Sequence, residues 1–168
     1  FMPGMYFAKS PITRCIDSKA VPPDETSPCI AWMTFCAGRR SGIIAIAAGI
    51  VDGLGYGHNT RAALITRGLS EITRLGARMG AHPLTFMGLA GLGDLVLTCT
   101  GDLSRNRQLG MRVAAGADPA AYLAGQRAVA EGFSTSAAAW GLAQKLGVDM
   151  PITEQVYHVL HRGRPLLE

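Results

Sequence analysis

Asp94 stands ten residues before Ser104, Arg105, Asn106 and Arg107, a compact set of hydroxyl, amide and guanidinium groups. The glycines that precede and separate them (Gly88, Gly91, Gly93 and Gly101) let backbone approach a ligand closely. A guanidinium fork suits a phosphate, while a carboxylate and an amide suit the hydroxyls of a polyol. By residue type alone, the stretch reads as a site for a small phosphorylated, hydroxylated molecule.

The elements that must position this cluster read as helices. From Gly42 onward the chain is rich in small residues, with apolar positions at helical spacing and almost no period-two alternation. Ile43 to Asp52 is apolar nearly all round and predicts a short buried helix. Asn59 is expected to cap a long amphipathic helix ending near Met79 and stopped by Gly80. Its apolar face is Ile65, Leu69, Ile72 and Met79, with Arg61, Arg67, Ser70, Glu71, Arg74 and Arg78 placed on a solvated face. Further helices are expected from Pro83 to Met87, from Arg105 to Ala115, from Ser134 or Ser136 to Leu146, and from Pro151 to about His161. The fold class is all-α. Two glycine clusters, at 53–57 and 88–93, look like parts of nucleotide-binding loops. Neither gives Gly-x-Gly-x-x-Gly between a strand and a helix, so no nucleotide-binding half is expected here.

Residues 1–41 read differently. Pro3, Pro11, Pro22, Pro23 and Pro28 fall in this stretch, with three of the four cysteines (Cys15, Cys29 and Cys36). It is expected to be an irregular arm. Bulk properties fit one globular domain: 168 residues, 48% hydrophobic, 17% charged, net charge +4. The arginines are scattered, so no nucleic-acid surface is expected. The longest apolar run, Ile43 to Val51, falls short of the about 20 residues that span a bilayer, so no membrane insertion is expected. No metal site is expected from the cysteines or from His58, His82, His158 and His161, which are placed on the surface. The cysteines read as reduced thiols of a cytoplasmic protein.

The segment from Ala45 through Asp52, Gly53, Gly55, Gly57 and Asn59 to Leu69 resembles the start of the C-terminal domain of bacterial NAD(P)-dependent glycerol-3-phosphate dehydrogenases. The similarity continues through Phe86 to Thr100, Ser104 to Arg107, Val129 to Gly132 and Met150 to Glu154, covering roughly residues 42–164. The resemblance implies a multi-helix domain of the 6-phosphogluconate dehydrogenase C-terminal-like type, with the Rossmann half absent. It implies NAD(P)H-dependent interconversion of dihydroxyacetone phosphate and sn-glycerol 3-phosphate for phospholipid synthesis. By motif match, Asp94, Thr98, Ser104, Arg105 and Asn106 would hold substrate, and Arg105, Val129 and Glu131 would touch NAD or NADP. Ser41 occupies the place of the family's catalytic lysine, so no catalytic residue is assigned and the isolated chain is expected to be inactive.

On this reading residues 1–41 lack family resemblance and 42–168 form the helical substrate-binding domain. Its C-terminal end, and a first residue Phe1 that is not Met, suggest a truncated product. A homodimer is a further expectation. A non-catalytic helical oligomerisation or interaction module retaining a vestigial phosphate site is the alternative.

Overall fold

A computed structural model describes residues 28–125 and 130–166. The described residues contain no strand, in agreement with the expected all-α class. Helix α1 spans Pro28–Gly53, α2 Gly57–Arg78, α3 Asp94–Thr100, α4 Arg105–Ala114, α5 Pro119–Ala124, α6 Glu131–Leu146 and α7 Pro151–Arg162. A 3-10 helix, Pro83–Met87, and a π-helical turn, Leu89–Gly93, lie between α2 and α3.

Helix α1 is the axis of the molecule. From Ser41 to Gly49 every residue is buried, because large Ile43, Ile44 and Ile46 alternate with small Gly42, Ala45, Ala47, Ala48 and Gly49. A helix apolar all round must be surrounded. On one side Ile44, Ala45 and Ala48 meet Ile65, Leu69 and Ile72 of α2, Phe86, and Leu95 and Cys99 of α3. On the other, Ile43, Ile46 and Ala47 meet Leu109 and Val113 of α4, Ala139 of α6, and Val156 and Leu160 of α7. Gly68 of α2 lets that helix close on Ile44: a Cβ there would stand 2.6 Å from Ile44 Cγ2.

The helix expected over Ile43–Asp52 reaches back to Pro28 and is 26 residues long. The five prolines that argued against helix stop at Pro28, and none falls between Cys29 and Arg40. Proline at the first helical position removes only an N–H that would be unpaired anyway. The expected irregular stretch is thus helical from Pro28, and residues 1–27 lie outside the described residues.

Helix α2 starts at Gly57, two residues before the expected cap Asn59, with Tyr56 at the N-cap and no side-chain cap. Gly55 and Gly57, at φ +76 and +81, turn the chain there instead. Its C-terminus is as expected: left-handed Gly80 follows, and Ala81 and Gly80 donate to the carbonyls of Gly76 and Ala77. The 3-10 helix from Pro83, α4 and α7 also appear where expected. Helix α6 starts at Glu131, ahead of both expected serines, for a reason that belongs to the site below.

One expected surface residue is a core residue. Glu71 is 1% exposed, and its carboxylate accepts from Ile152 N (2.5 Å), Thr153 N (3.1 Å) and Thr153 Oγ1 (3.0 Å). The two backbone donors are unpaired N–H groups of the first turn of α7, where a carboxylate is stabilised, and the Thr153 hydroxyl adds a third bond. Burial is the largest influence on Glu71 and raises its carboxyl pKa above 4.5, against the lowering effect of these hydrogen bonds and of Arg74. Three of the arginines expected on the same solvated face also find partners. Arg74 donates to Asp149 O and Arg78 to Leu146 O, while Arg61 forms an ion pair. His161, expected on the surface, is half-buried: its Nε2 lies 2.9 Å from Ser136 Oγ and 3.0 Å from Phe133 O, joining α7 to α6.

The apolar stretch Pro83–Thr100 has the length and composition to cross a bilayer. It is broken into 3-10, π and α pieces, with Gly88 extended between the first two. A membrane span requires its backbone groups to be satisfied internally along the segment, which such a break interrupts.

Candidate functional site

The candidate cluster is built on the crossing of α1 and α4. A Cβ on Gly49 would overlap Arg107 O, and one on Gly110 would overlap Ile46 O, so the two backbones touch. Small residues are what permit that approach. The contact sets α4 in one register against α1 and brings Asn106 to Gly42, where an added Cβ would lie 2.7 Å from Asn106 Nδ2. Asn106 Oδ1 accepts from Gly132 N at 3.0 Å, across to the first turn of α6. Helix α6 has no side-chain cap of its own at Ala130, and Asn106 supplies one from a different helix. This is why α6 begins ahead of Ser134 and Ser136.

Three helices therefore meet at Asn106. Gly42 places the preceding Ser41, 2% exposed, beside the crossing on α1. Gly132 places the preceding Glu131, exposed, at the opening of α6. Ser104 is the N-cap of α4 and its Oγ accepts from Arg107 N at 3.3 Å. Arg105, the first residue of α4, is exposed. The four residues from Ser104 to Arg107 thus divide their tasks. Ser104 and Asn106 each spend a side-chain oxygen on a helix N-terminus, and Arg105 is left outward.

Asp94 and Thr98 stand on the preceding helix, α3. Asp94 opens α3, where a carboxylate is favoured by the helix dipole. Its carboxylate is unpaired among the described residues, and Thr98 Oγ1 donates to the backbone carbonyl of Asp94 at 2.7 Å. No hydrogen bond or ion pair joins Asp94 or Thr98 to Ser104, Arg105 or Asn106 among the described residues. Thr98 precedes Ser104 by six positions, with the end of α3 and the turn at Gly101 between them. Behind Asp94, burial first and the Asp94 charge second push the Cys99 thiol up to about 12. Val129, an expected cofactor contact, lies outside the described residues.

Asp52 was not among the expected site residues, while Arg107 belonged to the candidate stretch without an assigned role and Arg61 was placed on the solvated face. Asp52 Oδ2 accepts from Arg107 Nε at 2.8 Å and from Arg61 NH1 at 2.8 Å, and Arg107 NH1 reaches Asp102 Oδ1 at 3.1 Å. The signal for Asp52 was present: an acid closing an apolar helix sits at the end where the dipole disfavours it. No group of three or more His, Cys, Asp or Glu with metal-ligand arrangement occurs among the described residues.

The region that holds these residues is similar to known proteins. The family model described as NAD-dependent glycerol-3-phosphate dehydrogenase C-terminus matches residues 36–168, which includes the helical residues before Gly42. A glycerol-3-phosphate dehydrogenase [NAD(P)+] of Geobacter metallireducens is 63% identical over 128 residues, 76% of this chain and 38% of that protein. One from Symbiobacterium thermophilum is 59% identical over 131 residues, again 38% of its length. Among solved structures, glycerol-3-phosphate dehydrogenase from Coxiella burnetii superposes with a TM-score of 0.75 at 45% identity, covering 79% of this chain and 41% of that one. The Saccharomyces cerevisiae enzyme superposes with a TM-score of 0.67 at 30% identity, covering 77% and 40%. The chain spans well under half the length of the relatives it matches. The matched region holds the α1/α4 crossing, the Asn106 junction and the Asp94 helix alike, and by it the chain belongs to the family of NAD-dependent glycerol-3-phosphate dehydrogenase C-termini.

Proposed function

We propose that this chain is the substrate-binding half of a glycerol-3-phosphate dehydrogenase that interconverts dihydroxyacetone phosphate and sn-glycerol 3-phosphate for cytoplasmic phospholipid synthesis. The observation that carries the reading is the first turn of α4, held by Asn106 against Gly42 and Gly132 with Arg105 facing outward. Arg105 would take the phosphate, together with first-turn N–H groups of α4. Asp94, with its unpaired carboxylate, would accept from a substrate hydroxyl, and Thr98 would offer its remaining lone pairs beside it. Residues 42–168 would form this unit.

NAD or NADP is the proposed cofactor of the complete enzyme. The described residues contain no strand, and hence no strand–loop–helix cradle for a pyrophosphate, so they do not by themselves fit a dinucleotide. Arg105 and Glu131, at the openings of α4 and α6, are proposed to reach its edge, and Val129 with them. Ser41 stands where the family's lysine is expected, and a buried hydroxyl cannot serve as the proton donor an ammonium provides.

The chain alone is therefore proposed to bind substrate without turning it over. Isothermal titration with sn-glycerol 3-phosphate should give saturable binding that Arg105→Ala weakens, and NADPH with dihydroxyacetone phosphate should show no oxidation. Absent binding would overturn the substrate assignment, and turnover would overturn the inactivity. Exposed Leu84, Met87, Leu89, Leu97 and Leu103 favour a second reading, a helical association module or homodimer that retains the phosphate site. Light scattering showing a monomer across concentration would remove it.

A further inference from the structure

We propose that Asp52 is a positioning residue for the substrate cluster, acting through Arg107 to fix the first turn of α4. The inference rests on the substrate assignment above. Asp52 lies in the last turn of α1, which ends at Gly53, where the helix dipole opposes a negative charge. Its side chain is 11% exposed, and so is that of Arg107 within a per cent, at 12%. A buried charge of this kind is retained at a cost unless it is paired and hydrogen-bonded.

Both conditions are met in a way that serves α4. Asp52 Oδ2 takes Arg107 Nε at 2.8 Å, while Arg61 NH1 from α2 reaches both carboxylate oxygens at 2.9 and 2.8 Å. Arg107 is held by α1 twice. Its carbonyl abuts Gly49, and its guanidinium bonds the carboxylate three positions further on. Its N–H is capped by Ser104, so the same residue fixes the backbone of the whole Ser104–Arg107 turn. The other partner of Arg107, Asp102, is 94% exposed and adds little. Asp52 is thus the half-buried anchor that aims Arg105 and the free N–H groups, without touching substrate itself.

The test compares three variants of the full chain by titration with sn-glycerol 3-phosphate and by thermal unfolding. Asp52→Asn should raise Kd about tenfold, as loss of a supporting contact does at other sites. Arg107→Lys, which keeps the charge and loses the fork, should raise it in the same way. Glu71→Gln, which loosens the remote α2–α7 contact, should lower Tm at least as much and leave Kd within about twofold. Unchanged Kd in Asp52→Asn, or a Kd that tracks Tm across all three, overturns the positioning role. Unfolding of both Asp52→Asn and Arg107→Lys assigns the pair to stability and also overturns it. Failure of the unmodified chain to bind overturns the substrate assignment and this inference together, a result distinct from wild-type binding that the variants retain.

Discussion

The two stretches that carry the candidate site are held in opposite ways. Ser104, Arg105 and Asn106 sit on α4, whose backbone touches that of α1 at Gly49 and Gly110 and whose Asn106 bridges to Gly132. Asp94 and Thr98 sit on the Pro83–Leu103 stretch, which is pinned at Phe86, Leu95 and Cys99 while Leu84, Leu89, Leu97 and Leu103 are 70% or more exposed. One part is packed backbone against backbone. The other is anchored along one face and bare along the other, so its position is open to adjustment by whatever covers it. The proposed phosphate grip would fall to the packed part and the proposed hydroxyl contact to the part bare along one face.

The largest effect expected is at the crossing. Gly110→Val would drive three carbons into Ile46 O and Ile50 N, in a place where neither backbone can retreat. Overpacking normally costs about 1–3 kcal/mol, and a backbone clash with no escape should exceed 4 kcal/mol, roughly the threshold of exceptional single mutations. Circular dichroism should find no cooperative transition. A folded Gly110→Val protein would mean that the crossing is as adjustable as the other stretch, and the contrast would fail.

Next comes Phe86→Ala. Phe86 is 3% exposed, and its ring lies so close over Gly76 that a Cβ there would overlap it. Truncating a buried Phe costs about 3–5 kcal/mol, and the bare neighbours here allow partial collapse, so about 3 kcal/mol is expected by denaturant titration. A cost below about 1 kcal/mol would show that Phe86 does not anchor the stretch.

Much of this architecture was legible beforehand, and the omissions share one cause. The ends of α2 and α6 at Gly80 and Gly147, and the starts of the 3-10 helix and α7 at Pro83 and Pro151, follow from local chemistry. What local chemistry cannot reveal is a partner supplied from afar. Asn106 caps α6 from 26 residues away, so the start of α6 carries no sign of it. Asp52 and Arg107 meet across 55 residues, and Glu71 takes its donors from 81 and 82 residues downstream. Helical periodicity put Glu71 on a solvated face by residue type, and only the arrival of the first turn of α7 makes that position interior. The types of Ser104, Arg105 and Asn106 were readable as a site. That Ser104 and Asn106 cap helices, while Arg105 alone faces outward, was not.

Glu71 provides a reference that belongs to neither stretch. Glu71→Gln replaces one acceptor oxygen by a donor facing a backbone N–H, which should cost about 1–3 kcal/mol at neutral pH. The pH dependence has a definite sign. The folded pKa lies above 4.5, so the folded state binds more protons than the unfolded state in the window between 4.5 and the raised value. Stability from this group is therefore fully present below the unfolded value and is lost as pH rises through the folded one. On acidification through that window the wild type should gain stability relative to Glu71→Gln, which does not titrate. A difference that shrinks instead would mean that the hydrogen bonds from Ile152 and Thr153 outweigh burial.

The smallest effect is expected on the bare face, and it separates exposure from anchoring within a single stretch. Leu89 is 91% exposed and Leu97 70%, so neither loses much contact with its own chain when replaced. Leu89→Ser and Leu97→Ser should each change stability by no more than about 0.5 kcal/mol, as surface substitutions do. Their effect should appear in association instead. Contiguous exposed apolar residues favour self-contact, so the paired variant should show a lower apparent mass than the wild type by light scattering at the same concentration. A loss of 2 kcal/mol or more would place these side chains in packing that holds the stretch down, and Asp94 and Thr98 would then stand on a platform as fixed as that of Arg105.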